Sequence, residues 1–216
     1  MGGFKNESIN ALFAAGSLKR IIAHLIQCSS QMKANCHSTG NMLKNNEDKI
    51  TNRLIACYLN NGASEFRYEP QAPENFDPKT DQFIGRSDIQ VISSDLFSNS
   101  NCYFLIECKR IDGTQHLNKE YIINGVSRFV STPPKYSSYH KKNIMFAYVV
   151  KAINISDSAT KISQLQKTLL TDVVATPFSL AQCDAEYGEY YCEYTSDSIG
   201  VIELRHLFYN FAEVIS

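Results

Sequence analysis

The chain has 216 residues, 44% of them hydrophobic and 20% charged, and a formal net charge of −1. That size and balance suit a single soluble domain with a full core. They exclude the overall basic character of a strong nonspecific nucleic-acid binder, and no apolar run approaches the length of a membrane span.

Taken in chain order, residues 7–15 and 17–33 read as helices separated by Gly16-Ser17. Leu18, Ile21, Ile22, Leu25, Cys28 and Met32 fall on one face of the second. Residues 34–42 are polar and read as a loop. A further helix over 43–60 carries Leu43, Ile50, Leu54, Cys57 and Tyr58 on its apolar stripe. Glu47 lies within that stripe. A carboxylate there either meets the helix dipole in the first turn or serves chemistry on the inward face.

Phe66 to Gln71 reads as a short strand, followed by a polar, proline-punctuated loop to about Asp81. Phe83 to Ile92 reads as a strand carrying Asp88, residues 93–101 as a turn, and Tyr103 to Lys109 as a buried strand. Lys119 to Ser131 is expected to be helical and to stop at Thr132-Pro133-Pro134. Ile144 to Val150 is apolar throughout, as for an interior strand covered on both faces. Ile155 to Thr171 reads as a helix. Tyr190 to Tyr194 and Ile199 to Leu204 read as a hairpin, with a short helix after it. No repeat or linker divides residues 1–216, so one domain is expected. Its core spans about 43–150, with a helical extension over 1–42 and a helix and hairpin over 151–216.

The chemistry gathers at Glu107-Cys108-Lys109. Side chains alternate along a strand, so Glu107 and Lys109 share a face and Cys108 takes the other. Two opposite charges at the end of a buried strand need pairing or a metal. With Asp88 on a neighbouring strand, the set describes a divalent-metal site with a proton-handling amine beside it.

The order helix, strand, strand, strand, helix, strand, with Glu47, Asp88, Glu107 and Lys109 placed on it, resembles the PD-(D/E)xK nuclease superfamily. The resemblance covers about half of the chain, and the stretch around Glu107-Cys108-Lys109-Arg110 is similar to prokaryotic members linked to restriction or phage defence. Ser87 stands where the family name has proline. The resemblance implies an α/β, restriction-endonuclease-like mixed central sheet flanked by helices, with core order αβββαβ. It implies a nuclease that hydrolyses DNA phosphodiester bonds with Mg²⁺ or Mn²⁺. Asp88, Glu107, Glu47 and the backbone carbonyl of Cys108 would hold the ion. Lys109 would orient or deprotonate the attacking water, or stabilise charge on the phosphate.

Arg110, Lys119 and Arg128 follow the metal strand and are the candidate nucleic-acid contacts. Gln115 is a further candidate for the scissile phosphate. Tyr187, Tyr190, Tyr191 and Tyr194 are read either as a base-stacking cluster or as half-buried packing. The seven cysteines form no CxxC pair, and Cys36-His37 lacks a second ligand pair for zinc, so a reducing, cytoplasmic setting is expected. A homodimer would bring two sites to the two strands of a duplex, and a separate recognition or regulatory subunit would supply target choice. Two other readings stand beside the deoxyribonuclease: a silent nuclease-like module that binds nucleic acid or protein, and a nuclease acting on RNA.

Overall fold

The computed structural model describes residues 7–62, 64–93 and 103–216. Its architecture is mixed α/β, a mostly antiparallel central sheet with helices on both faces. Among the described residues, eight strands form that sheet in the order β1-β4-β5-β6-β10-β9-β7, with β8 on β9. The strands are β1 (Phe66–Pro70), β4 (Ile89–Ser93), β5 (Tyr103–Ile111), β6 (Lys142–Val149), β7 (Val174–Ala175), β8 (Ser179–Cys183), β9 (Tyr187–Ser196) and β10 (Gly200–Asn210). β5, β6 and β10 are parallel neighbours, and the other pairings are antiparallel. A separate hairpin joins β2 (Pro73–Asp77) to β3 (Gln82–Arg86).

Two cores sandwich the sheet. Ile21, Leu25 and Met32 of α1 (Glu7–Thr39) and Ile50 and Leu54 of α2 (Glu47–Leu54) share one core with Ile106, Cys108, Phe146 and Tyr148. The other face carries α3 (Gln115–Tyr121), α4 (Ser127–Val130) and α5 (Ile155–Leu169), with Leu105, Met145, Ala147 and Phe208 from the sheet. β6 is therefore covered on both sides, which accounts for its unbroken apolar run. No helix among the described residues is long and apolar enough to cross a membrane.

Several expectations are corrected by long-range packing. α1 is continuous through Gly16 and extends to Thr39. A glycine in a helix interior costs only about 1 kcal/mol, less than the burial of the stripe on either side of it. Cys36, one turn beyond Met32, continues that stripe, and Gly40 at φ +70° takes the left-handed position after the helix. α2 begins at Glu47 rather than 43. Asn46 is its N-cap and accepts the Lys49 N–H at 3.0 Å. Leu43 is buried because it bridges to Ile215 at the C-terminus, not because it is helical.

The strand expected over 83–92 breaks at Ser87-Asp88, where the chain leaves the β2–β3 hairpin for the main sheet. Beyond Ser93, the turn expected up to residue 101 lies outside the described residues. The helix expected from Lys119 starts at Gln115, capped by Thr114, and passes through a π-helical turn over Ile122–Val126. The segment expected to be a C-terminal helix is mostly the second half of β10, which pairs with β6 as far as Asn210 and leaves one short 3₁₀ turn over Ala212–Val214.

Candidate active site

The site is built at the end of β5. Glu107 and Lys109 point to the α3–α4 side, Glu107 fully buried and Lys109 7% exposed. The Lys109 ammonium donates to Glu107 Oε1 at 2.8 Å, Glu47 Oε1 at 2.9 Å and the Cys108 carbonyl at 2.7 Å. It stands 3.8 Å from Asp88 Oδ2. The four residues singled out for chemistry thus meet around one nitrogen.

Each acid arrives for a local reason. Glu47 is the first residue of α2, so it sits at the positive end of the helix, and its side chain also reaches the Lys109 ammonium. Its second oxygen accepts the Arg110 N–H at 3.0 Å, tying the helix start to the β5 backbone. Asp88 sits where β4 pairing ends. The last β4 partner on β5 is Ile106, opposite Ile89, so the next inward N–H, that of Cys108, has no strand to bond. Asp88 Oδ2 accepts it at 2.7 Å, because a buried N–H left unpaired is costly.

Glu107 is also gripped from the far side. Arg128 Nε lies 3.3 Å from Oε1, and the Tyr136 hydroxyl bonds Oε2. Burial and, after it, the Asp88 charge push the Glu107 carboxyl up against the pull of Lys109 and Arg128, and together they leave it at about 7. Burial alone would lower Lys109, but Glu107, Asp88 and Glu47 outweigh it, and the ammonium holds its proton more tightly than an ordinary lysine.

A cleft of about 410 Å³ opens on the Glu47 and Lys109 side of this cluster, lined also by Arg110, Arg128, His116 and Asn124 among others, while Asp88 and Glu107 lie outside its lining. His116, Glu120, Asn124 and Arg128 recur every four residues and face it together. The π turn adds the extra residue that keeps this spacing on one side of the helix. Gly125 makes the close approach possible: a Cβ there would lie 2.5 Å from Met145 Cε and 3.3 Å from Lys109 Cγ.

Of the expected nucleic-acid contacts, Arg128 and Arg110 line the cleft, though Arg110 already donates to the Asn45 carbonyl and side chain at 2.9 Å each. Lys119 is exposed on α3 but does not line the cleft, and Gln115 lines a different hollow with Lys161. Tyr190 and Tyr194 are buried core residues, which removes them from base stacking, while Tyr191 packs under Arg205. Tyr136, His116 and Asn124 were not identified from sequence. Tyr136 lies in a polar loop after two prolines, and nothing local marks it as buried.

Set against protein-family models, curated proteins and solved structures, the chain finds no match. Among the described residues, no three His, Cys, Asp or Glu side chains form a ready-made metal cluster. The oxygens of Glu47, Glu107, Asp88 and Cys108 instead surround the Lys109 ammonium, a resident cation, at 2.7–3.8 Å. The donor set is all oxygen and mostly anionic, the chemistry that Mg²⁺ and Mn²⁺ favour. In donor type, the residues present fit such an ion.

Proposed function

We propose that the chain is a metal-dependent nuclease that hydrolyses DNA phosphodiester bonds, with the restriction-endonuclease-like arrangement of the PD-(D/E)xK superfamily, serving restriction, phage defence or DNA processing. The observation that carries the reading is the convergence of Glu47, Asp88 and Glu107, from three separate elements, on Lys109. The succession α2, β1, β4, β5, α3, β6, interrupted between β1 and β4 by the β2–β3 hairpin, with β5 and β6 parallel beside antiparallel β1 and β4, supports it.

Asp88, Glu107 and the Cys108 carbonyl would hold Mg²⁺ or Mn²⁺, with Glu47 on the cleft side, and the chemistry such an ion would supply there is Lewis-acid polarisation of the scissile phosphate and of the attacking water. Lys109 acts as a donor. Its ammonium, which already donates to Glu47 and Glu107, suits it to orienting the attacking water and to stabilising charge on the phosphate. Arg128 lines the same cleft, and its Nη2, the guanidinium nitrogen not engaged with Asn124, Arg86 or Tyr136, is the donor for phosphate oxygens. Three carboxylates face the two cations Lys109 and Arg128, so the metal-free site is poorly suited to a polyanion.

One observation favours a binding module that does not cut: both Glu107 oxygens already have protein partners. Incubation of plasmid and of an RNA of matched length with Mg²⁺ or Mn²⁺, with and without chelator, decides between the readings. Metal-dependent nicking that Lys109→Ala abolishes is expected. A folded parent that cuts neither polymer in either metal refutes the nuclease reading and leaves the binding module.

A further inference from the structure

We propose that Tyr136 is a positioning residue of this site, whose hydroxyl sets the Glu107 carboxylate relative to the Asp88 segment so that a divalent cation meets both. The inference rests on the metal-site reading above.

The Tyr136 hydroxyl stands at a junction. It lies within hydrogen-bond reach of two acceptors, Glu107 Oε2 at 2.5 Å and the Arg86 carbonyl at 2.8 Å, and accepts from Arg128 Nη1 at 2.8 Å. Arg86 ends β3 two residues before Asp88, so one oxygen links the β5 acid to the backbone that delivers the other acid. Arg128 closes the ring by donating to the same Arg86 carbonyl at 3.2 Å and by reaching Glu107.

The junction is held rigidly. Tyr136 is 1% exposed and packs edge-on against Phe129, with ring centroids 5.0 Å apart. Its own N–H and that of Lys135 both donate to the Arg128 carbonyl, at 3.1 and 3.0 Å. Gly85 lies so close that a Cβ would come within 2.2 Å of the Lys135 carbonyl. A side chain that only filled space would need neither the hydroxyl nor these backbone anchors. A phenol has one proton, so Glu107 and the Arg86 carbonyl compete for it. That shared proton couples the position of one acid to the strand end that carries the other.

Tyr136→Phe removes one oxygen and keeps the ring. It is expected to keep a cooperative melt and to weaken Mn²⁺ binding, read by calorimetry, about 10- to 100-fold, the range for partners that orient metal ligands. The decisive control is Glu107→Gln, in which Tyr136→Phe should produce no further loss because the coupled acid is gone. Arg128→Gln, which leaves the Tyr136 ring in place, should give an intermediate loss, and it supplies the test if Tyr136→Phe does not fold. Parental Mn²⁺ affinity in both Tyr136→Phe and Arg128→Gln overturns the proposal. So does an equal loss from Tyr136→Phe with and without Glu107. A parent that binds Mn²⁺ but cuts nothing refutes the nuclease reading alone, because the calorimetric comparison still stands. A parent that binds no Mn²⁺ removes the metal site and the proposal together.

Discussion

Gly125→Ala tests whether the position of Lys109 depends on how closely the helix approaches it. The added methyl would lie 2.5 Å from Met145 Cε, closer than real Cβ contacts, and 3.3 Å from Lys109 Cγ, tight by a few tenths of an ångström. Met145 is fully buried, so its terminal methyl has little room to turn. Overpacking of this kind costs about 1–3 kcal/mol. The higher helix propensity of alanine returns about 1 kcal/mol. The net loss is therefore about 0–2 kcal/mol, which for a chain of this length lowers the melting temperature by about 2–4 °C per kcal/mol.

The site should suffer more than the fold. A shift of a few tenths of an ångström at Lys109 Cγ moves the ammonium away from acceptors at 2.7–2.9 Å. A displacement that costs 1.4–2.8 kcal/mol in the transition state slows the reaction about 10- to 100-fold. Thermal melts and metal-dependent plasmid nicking on the same samples check this, with Ile123→Ala, at an exposed position on the same turn, as the control. A Gly125→Ala protein with parental melt and parental nicking would refute the argument. A large stability loss with unchanged specific activity would show that the methyl is absorbed by Met145 alone.

Three other outcomes follow from the geometry. Asp88→Asn retains an acceptor for the Cys108 N–H, whereas Asp88→Ala orphans it at a cost of about 1–3 kcal/mol; melts should separate the two variants while calorimetry finds Mn²⁺ binding weakened in both. His206, fully buried between the Tyr121 and Tyr194 hydroxyls, is held down to about 3 by burial. In the window below 6.5 the folded chain binds fewer protons than the unfolded one, so this contribution is complete above pH 6.5. It is lost as pH falls toward 3, at up to about 1.4 kcal/mol per pH unit. Urea midpoints from pH 7 to pH 4 should therefore fall less steeply in His206→Gln than in the parent. Lys119→Ala should leave the nicking rate within about twofold, the reach of a surface substitution, while Arg128→Ala, on the cleft wall and against Glu107, should reduce it at least tenfold; equal effects would show that the cleft is not the path of the substrate.

Local periodicity was sufficient for the heart of the site. Alternation along β5 places Glu107 and Lys109 on one face, and the helical stripe brings Glu47 inward, because the face a side chain takes depends only on its own element. The apolar run of β6 is equally self-explanatory. Pairing is different, since a strand's partner is chosen elsewhere in the chain. The second half of β10 is buried on both sides, so Arg205 to Asn210 shows no strict alternation and locally reads as non-strand, whereas pairing with β6 makes it strand. The β2–β3 hairpin begins at a proline and carries Asn75 at φ +53°, features that locally read as loop.

What the amino-acid order determined by itself was which side chains are drawn inward and which chemistry they could perform: an acid and an amine two residues apart on a buried strand, with two more acids upstream. What only the tertiary structure decided was how they meet. Asp88 turns onto the Cys108 N–H because β4 ends there, Tyr136 reaches Glu107 from a loop 29 residues away, and Arg128 joins them across a π turn. Each depends on a hydrogen-bonding group losing or gaining a partner across the fold, and no window of neighbouring residues encodes that.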